Sequence, residues 1–272
     1  MRVELAVDAR RPDRGCEDFA VATPEALVLL DGSSTPESLE SGCAHGIAWY
    51  VRRLGVHLLA RLTDRADLGI AECLADAIAG TAALHGGCDL ANPATPAAMV
   101  VAARLRGDTL EYLALGDSLL VLHLKDGPPR VIGDNQRFPG GEELRRQVWS
   151  TVPGSAERAA LYLRYAVAVR AARNTGHGPW IAAAAPHAAD HAETGFAALA
   201  DLHGVAALSD GAARFTGRLE LGSWADAVRL LAEAGPAELI GQVRAAERSD
   251  AHCLRWPRSK AHDDAAALYA RI

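Results

Sequence analysis

The chain has 272 residues, half of them apolar, and a formal net charge of −6; that length supplies one large core in a single domain spanning 1–272, and the acidic balance argues against a nucleic-acid partner. Five scattered cysteines (Cys16, Cys43, Cys73, Cys88, Cys253) form no Cys-x-x-Cys pair, which points to reduced thiols in a cytoplasmic protein rather than to a disulfide framework or a structural zinc site. No stretch reaches the roughly 20 apolar residues that a membrane span needs, and acids interrupt the N-terminal apolar run, so it does not read as a signal peptide.

Residues 2–8 alternate polar and apolar, the pattern of a half-buried edge strand. A charged loop through Pro12 and Gly15 leads to residues 19–21, and after Pro24 an unbroken apolar run, 26–30, ends on Asp31-Gly32. Such a run predicts a strand buried on both faces, and the two segments fit a hairpin. Asp31-Gly32 itself reads two ways: as a turn, or as an acid at a strand end that holds metal, with glycine admitting a close approach.

Apolar residues at 47, 51, 54, 58 and 62 predict a helix over 43–62, and residues 70–84 predict a second, ended by His85-Gly86-Gly87. Arg52, Arg53, Arg61 and Arg65 make a basic stripe that reads as a solvated face. Three strands are predicted next, 98–105, 109–115 and 119–124, with Gly107-Asp108 and Gly116-Asp117-Ser118 between them. They read as a meander in an antiparallel sheet. Helices are expected over 141–149 and 156–172, the latter capped by Ser155 with Arg158 and Arg164 facing out. A strand over 180–184 and a loop or short helix over 185–200 follow. Residues 205–211 then repeat the earlier pattern: apolar strand, Asp210, Gly211. Helices at about 223–234 and 236–248, headed by Ser223 and Pro236, precede His262-Asp263-Asp264 and a last strand, 265–272.

Acids recur at the ends of these apolar runs: Glu17-Asp18, Asp31, Asp117, Asp210 and Asp263-Asp264. Singly, each is an ordinary turn residue. Gathered in one cleft they would repel and resist ionising, and divalent cations would remove that penalty. An oxygen-rich, histidine-poor set favours Mg²⁺ or Mn²⁺ over zinc, and two such ions can clamp a phosphoryl group.

In order and spacing, Glu17-Asp18, Asp31-Gly32, Gly116-Asp117-Ser118, Ser209-Asp210-Gly211 and Asp263-Asp264 resemble the motifs of the 2C-type (PPM) metal-dependent serine/threonine protein phosphatases, from Arg14 to the C-terminus. The resemblance implies an α+β fold, a four-layer α-β-β-α sandwich of two antiparallel sheets flanked by helices. It implies two Mn²⁺ or Mg²⁺ ions and a possible third. Asp31 would bridge both; Glu17 and the Gly32 carbonyl would hold one ion, and Asp210 and Asp263 the other. Asp18 would hold metal-bound waters, Asp117 would relate to the third ion, and Arg14 would grip the substrate phosphate. The implied reaction is hydrolysis of a phosphorylated protein or a small phosphomonoester by metal-activated water, without a covalent intermediate.

The chain departs from the family after Asp31-Gly32, where Ser33-Ser34-Thr35-Pro36 replaces the usual glycine and histidine. Ser33 is a poor general acid near neutral pH. Cys16 and Asp264 stand where asparagines are common, and 125–200 matches weakly. With only two lysines and much alanine, the chain looks like a divergent bacterial, actinobacterial branch. Other residues have bland readings beside sharp ones. Cys16 is a redox-sensitive thiol or an ordinary half-buried one; His45, His57 and His85 read as surface or core histidines; His262 could touch a metal water or phosphate. Three readings remain: a metal-dependent phosphatase, a weakly active or inactive phosphatase-like binding module for phosphorylated partners, and a hydrolase of another phosphorylated metabolite.

Overall fold

The computed structural model describes residues 1–11, 15–36, 38–133, 141–152 and 154–272. Among them the chain runs β1 (Arg2–Asp8), β2 (Phe19–Ala22), β3 (Ala26–Gly32), α1 (Ile47–Asp64), α2 (Ile70–Ala82), β4 (Ala98–Arg106), β5 (Thr109–Leu115), β6 (Leu119–Leu124), β7 (Arg130–Ile132), α3 (Glu142–Ser150), α4 (Ala156–Ala172), β8 (Glu193–Ala198), β9 (Leu202–Leu208), α5 (Asp210–Ala213), α6 (Trp224–Ala234), α7 (Pro236–Ser249) and β10 (Ala265–Arg271). The strands form two antiparallel sheets, ordered β1-β10-β9-β6-β7 and β2-β3-β4-β5-β8.

Side-chain alternation explains the layering. On β3, Val28 and Leu30 pack against Val51, Leu54 and Ile78 of α1 and α2. Leu27 and Leu29 point the other way and meet Leu120, Val205 and Leu268 of the facing sheet. The outer face of that sheet, with Ala206, Ala267 and Tyr269, is covered by Val228, Leu231, Leu239 and Val243 of α6 and α7. The result is the expected α-β-β-α sandwich. It leaves β3 buried at every position, as its unbroken apolar run requires.

Several local expectations are corrected. The meander ends at β5: β6 pairs with β7 and β9 in the other sheet, so Gly116-Asp117-Ser118 is a crossover between sheets and not a hairpin turn. The helix predicted from residue 43 starts at Ile47. Residues 180–184 make a single bridge, Ala182 to Ala98, rather than a strand. The loop or short helix expected over 185–200 resolves into a 3₁₀ turn, Pro186–His191, and the edge strand β8 paired with β5. Arg158 is buried instead of facing out, its guanidinium donating to the carbonyls of Thr151 and Arg258. Nor are the cysteines all scattered: Cys43 and Cys88 meet each other and two histidines, His45 and His85. No helix among the described residues is long and apolar enough to cross a membrane.

Candidate metal centre

Parity along the strands decides which acids meet. Asp31 continues the face of Leu27 and Leu29, so its carboxylate enters the gap between the sheets. There its Oδ2 accepts the backbone N–H of Asp210 at 2.9 Å and the Ser118 hydroxyl at 3.4 Å. The ends of β3, β5 and β9 therefore converge on one carboxylate. Asp18 lies beside it, buried, with Ser209 hydrogen-bonded to its carboxylate. Its Oδ2 is fully buried and, among the described residues, has no hydrogen-bond partner.

The two Asp-Gly pairs owe their glycines to close packing rather than to turns. A Cβ on Gly32 would lie 2.4 Å from the Glu17 carbonyl oxygen, and one on Gly211 would lie 1.9 Å from that of Asp264. Only glycine lets these acid-bearing segments touch. Glu17 is held twice: the Ser34 hydroxyl donates to its carboxylate at 2.5 Å, and its backbone N–H donates to Asp264 Oδ2 at 2.9 Å. Asp264 also accepts the N–H of Arg10 at 2.6 Å. Asp264 thus clasps the 10–17 loop to the start of β10.

Asp263 is engaged by cations. Its Oδ1 accepts from Lys260 Nζ at 2.9 Å and its Oδ2 from Arg214 Nη2 at 3.0 Å. Arg214 also reaches Glu247, a fully buried carboxylate on α7 that is shared with Arg244 and His262. His262 accordingly turns to Glu247, 3.0 Å away, and not to the acid cluster.

Burial, followed by the charge of Asp18 and Asp210, pushes the Asp31 carboxyl well above the usual range; burial and the neighbouring acids do the same to Asp18. Asp210 opens to solvent at the rim of the cleft. The protein mass around its carboxylate still desolvates it, and Asp263 and Asp117 add repulsion; its pKa is pushed up to about 7. Asp117, in the crossover after β5, is exposed and within electrostatic reach of both Asp31 and Asp210. Burial and adjacent acids push the Cys16 thiol up to about 12, which disfavours a reactive thiolate. The structure so brings together Asp18, Asp31 and Asp210, sets Asp117 and Asp263 within electrostatic reach of Asp210, lays the Glu17 backbone against Gly32, and ties Asp263 to two cations. Arg14 lies outside the described residues.

An orphaned carboxylate oxygen in a cluster of resisting acids is what a bound cation would satisfy, and an all-oxygen donor set suits a hard divalent ion. Reading the sequence missed Ser34 and Ser118, which orient Glu17 and Asp31, and the cations Arg214 and Lys260. One signal was present: Lys260 precedes Asp263 by three positions, near enough in sequence for the local ion pair that forms at 2.9 Å.

Compared by sequence, the chain matches no family model and no curated protein. Compared by structure, it is similar to the serine/threonine phosphatase Stp1 from Staphylococcus aureus, with 11% identity, a TM-score of 0.58, and coverage of 99% of this chain and 94% of that one. The Mycobacterium tuberculosis serine/threonine phosphatase PstP/Ppp matches at 16% identity and a TM-score of 0.58, over 100% of this chain and 98% of that one. The catalytic domain of the serine/threonine protein phosphatase PstP, in complex with two manganese ions, matches at 18% identity and a TM-score of 0.54, over 99% and 97%. Over essentially its whole length, then, the chain has the fold of the bacterial serine/threonine phosphatases, the one that its resemblance to the 2C-type family implied.

Proposed function

We propose that the chain is a metal-dependent phosphomonoester hydrolase acting on phosphoserine or phosphothreonine in proteins. The observation that carries this reading is the buried, unpartnered Oδ2 of Asp18 within a cluster of carboxylates that resist ionising. A structural acid cluster without a cation has no reason to persist in that form.

Glu17, Asp31 and the Gly32 carbonyl would hold one divalent cation, and Asp31, Asp210 and Asp263 would hold a second; Asp18 would orient water, and Asp117 would serve a third ion. Mn²⁺ or Mg²⁺ bound there supplies Lewis-acid activation of water and neutralises phosphoryl charge. The chain's own residues prepare the site. Ser118 and the Asp210 N–H fix the rotamer of Asp31, and Ser34 and Asp264 fix Glu17. Arg14 would grip the phosphate with its planar fork, as the resemblance implies. Arg218, whose charge reaches Asp210, adds positive potential at the mouth of the cleft. The manganese-bound phosphatase structure with the same fold supports the choice of metal.

A second reading, a phosphatase-like binding module with little turnover, is favoured by one observation. Both oxygens of Asp263 are engaged by Lys260 and Arg214, and a second cation must displace them.

The deciding experiment is hydrolysis of p-nitrophenyl phosphate and a phosphothreonine peptide with Mn²⁺, for wild type, Asp31→Ala and Asp210→Ala. Turnover that requires Mn²⁺ and is lost in both variants is expected. Turnover that survives both substitutions overturns the metal-centre reading; a wild type that binds Mn²⁺ but hydrolyses neither substrate establishes the binding module.

A further inference from the structure

Away from the acid cluster, two short segments meet beside the first helix layer. Cys43-Ala44-His45 precedes α1, and His85-Gly86-Gly87-Cys88 follows α2. The two sulfurs and one nitrogen from each histidine all lie within 4.8 Å of one another. We propose that Cys43, His45, His85 and Cys88 form a structural zinc site.

The distances fit an ion rather than a set of pairwise hydrogen bonds. Zinc binds thiolate at about 2.3 Å and imidazole at about 2.0–2.1 Å, so the sulfur–nitrogen edge of its tetrahedron is about 3.6 Å. Cys43 Sγ lies 3.6 Å from His45 Nδ1 and 3.5 Å from His85 Nδ1, and Cys88 Sγ lies 3.4 Å from His45 Nδ1. Cys43 Sγ thus contacts two imidazoles, and His45 Nδ1 contacts two sulfurs. A single proton serves one contact, whereas a cation at the common centre serves all four groups. The donor set, two sulfurs and two nitrogens, is borderline-soft and selects zinc over the hard ions suited to the carboxylates.

The surrounding frame is built independently of the ion. Asp89 N–H donates to the Gly42 carbonyl at 2.9 Å and Asn92 Nδ2 to that of Glu40 at 3.2 Å, clamping the two segments. Gly42, at φ +70°, lets them approach: a Cβ there would lie 2.9 Å from the Asp89 carbonyl oxygen. His45 N–H points at Cys43 Sγ, 3.4 Å away, the kind of backbone donor that stabilises a metal-bound thiolate. Stacking of His45 on Trp49 at 4.2 Å and the edge contact of Trp49 with His85 at 4.8 Å fix both rings. Four protein ligands close the coordination sphere and leave no position for substrate, so the role is structural. The ion fastens the end of the 33–46 segment to the end of α2. That segment begins with Ser33 and Ser34, and Ser34 holds Glu17; the zinc therefore braces the loop behind the acid cluster.

Metal analysis and cobalt substitution of the full chain, purified under reducing conditions without chelator, test the proposal. Expected are about one zinc per chain retained in Asp31→Ala and lost in Cys88→Ser. Co²⁺ in the wild type should give a thiolate-to-cobalt charge-transfer band and the intense visible bands of tetrahedral coordination, which octahedral Co²⁺ among carboxylates does not give. A wild type that takes up no zinc and shows no such bands overturns it, as does a Cys43–Cys88 disulfide in the reduced preparation or zinc retained by Cys88→Ser. The wild-type cobalt spectrum decides the question even where Cys88→Ser fails to fold, and it does so whether or not the protein is a phosphatase.

Discussion

Glu247 holds together the side of the cleft that carries Asp263, and replacing it by alanine has a calculable outcome. Its carboxylate is fully buried and accepts from Arg214 at 2.5 Å, Arg244 at 2.7 Å and His262 at 3.0 Å. Arg244 in turn reaches Asp8 on β1 and the carbonyl of Asp263, while Arg214 reaches the Asp263 carboxylate. Both guanidiniums are nearly enclosed, with side chains about one-tenth exposed. Glu247→Ala leaves them without their shared counter-charge, and breaking a buried ion pair in this way costs about 3–5 kcal/mol. At about 2–4 °C per kcal/mol for a chain near this size, the melting temperature falls by about 6–20 °C. Glu247→Gln keeps the shape and one acceptor, and loses about 1–3 kcal/mol. The freed charge of Arg214 also turns onto Asp263 and Asp210, so Mn²⁺ binding weakens in both variants. Urea unfolding at equilibrium, with manganese calorimetry on the same preparations, measures both effects. A Glu247→Ala protein within 1 kcal/mol of wild type at about pH 7, or one with undiminished Mn²⁺ affinity, would refute the reasoning.

Three further outcomes are expected. Gly211→Ala puts a methyl group 1.9 Å from the Asp264 carbonyl oxygen; by overpacking it should destabilise the fold by about 1–3 kcal/mol and lower Mn²⁺ affinity, read by thermal melting and calorimetry. Asp18, Asp31 and Asp210 all have raised pKa values in the folded chain, so the folded state binds protons more tightly than the unfolded one. Without metal, their contribution to stability is full below about pH 4 and is lost as pH rises through their folded pKa values, about 7 for Asp210. Saturating Mn²⁺ should remove that fall, so the gap between melting temperatures with and without metal widens from pH 4 to 7; a gap constant over that range contradicts it. Lys260→Ala frees Asp263 Oδ1, and should tighten binding of the second cation in a two-site titration.

How much of this was legible beforehand differs between levels of structure. Local patterns revealed β3, the Asp-Gly repeat and most helices, because burial on two faces and helical spacing leave marks in short windows. The crossover at Gly116-Asp117-Ser118 left none: a hairpin and a change of sheet use the same turn residues, and the strand that carries β6 into the other sheet, β9, lies some eighty positions on. β8 was missed because an edge strand alternating between half-buried and exposed residues carries little apolar signal. The acids were visible as a set, yet the pairing of Asp263 with Arg214 and Lys260 was not. A strand reverses face at each residue, and Asp264, not Asp263, shares the inward face of Ala266 and Leu268. Arg158 looked like a surface charge, since one of its partners is the carbonyl of Arg258, distant in sequence, and nothing in the sequence drew attention to Glu247, whose partner Arg214 lies on another element. The cysteine–histidine cluster escaped for the same reason: His45 and His85 stand forty positions apart, with no Cys-x-x-Cys to flag them.

The central claim is that the acid cluster at Asp31 is a cation site that powers phosphomonoester hydrolysis. Manganese titration followed by calorimetry and by p-nitrophenyl phosphate turnover, on wild type and Asp31→Ala side by side, tests it most directly. The account predicts that binding and turnover rise together in the wild type and vanish together in Asp31→Ala. Turnover in the absence of any divalent cation, or binding that Asp31→Ala leaves intact, would contradict it.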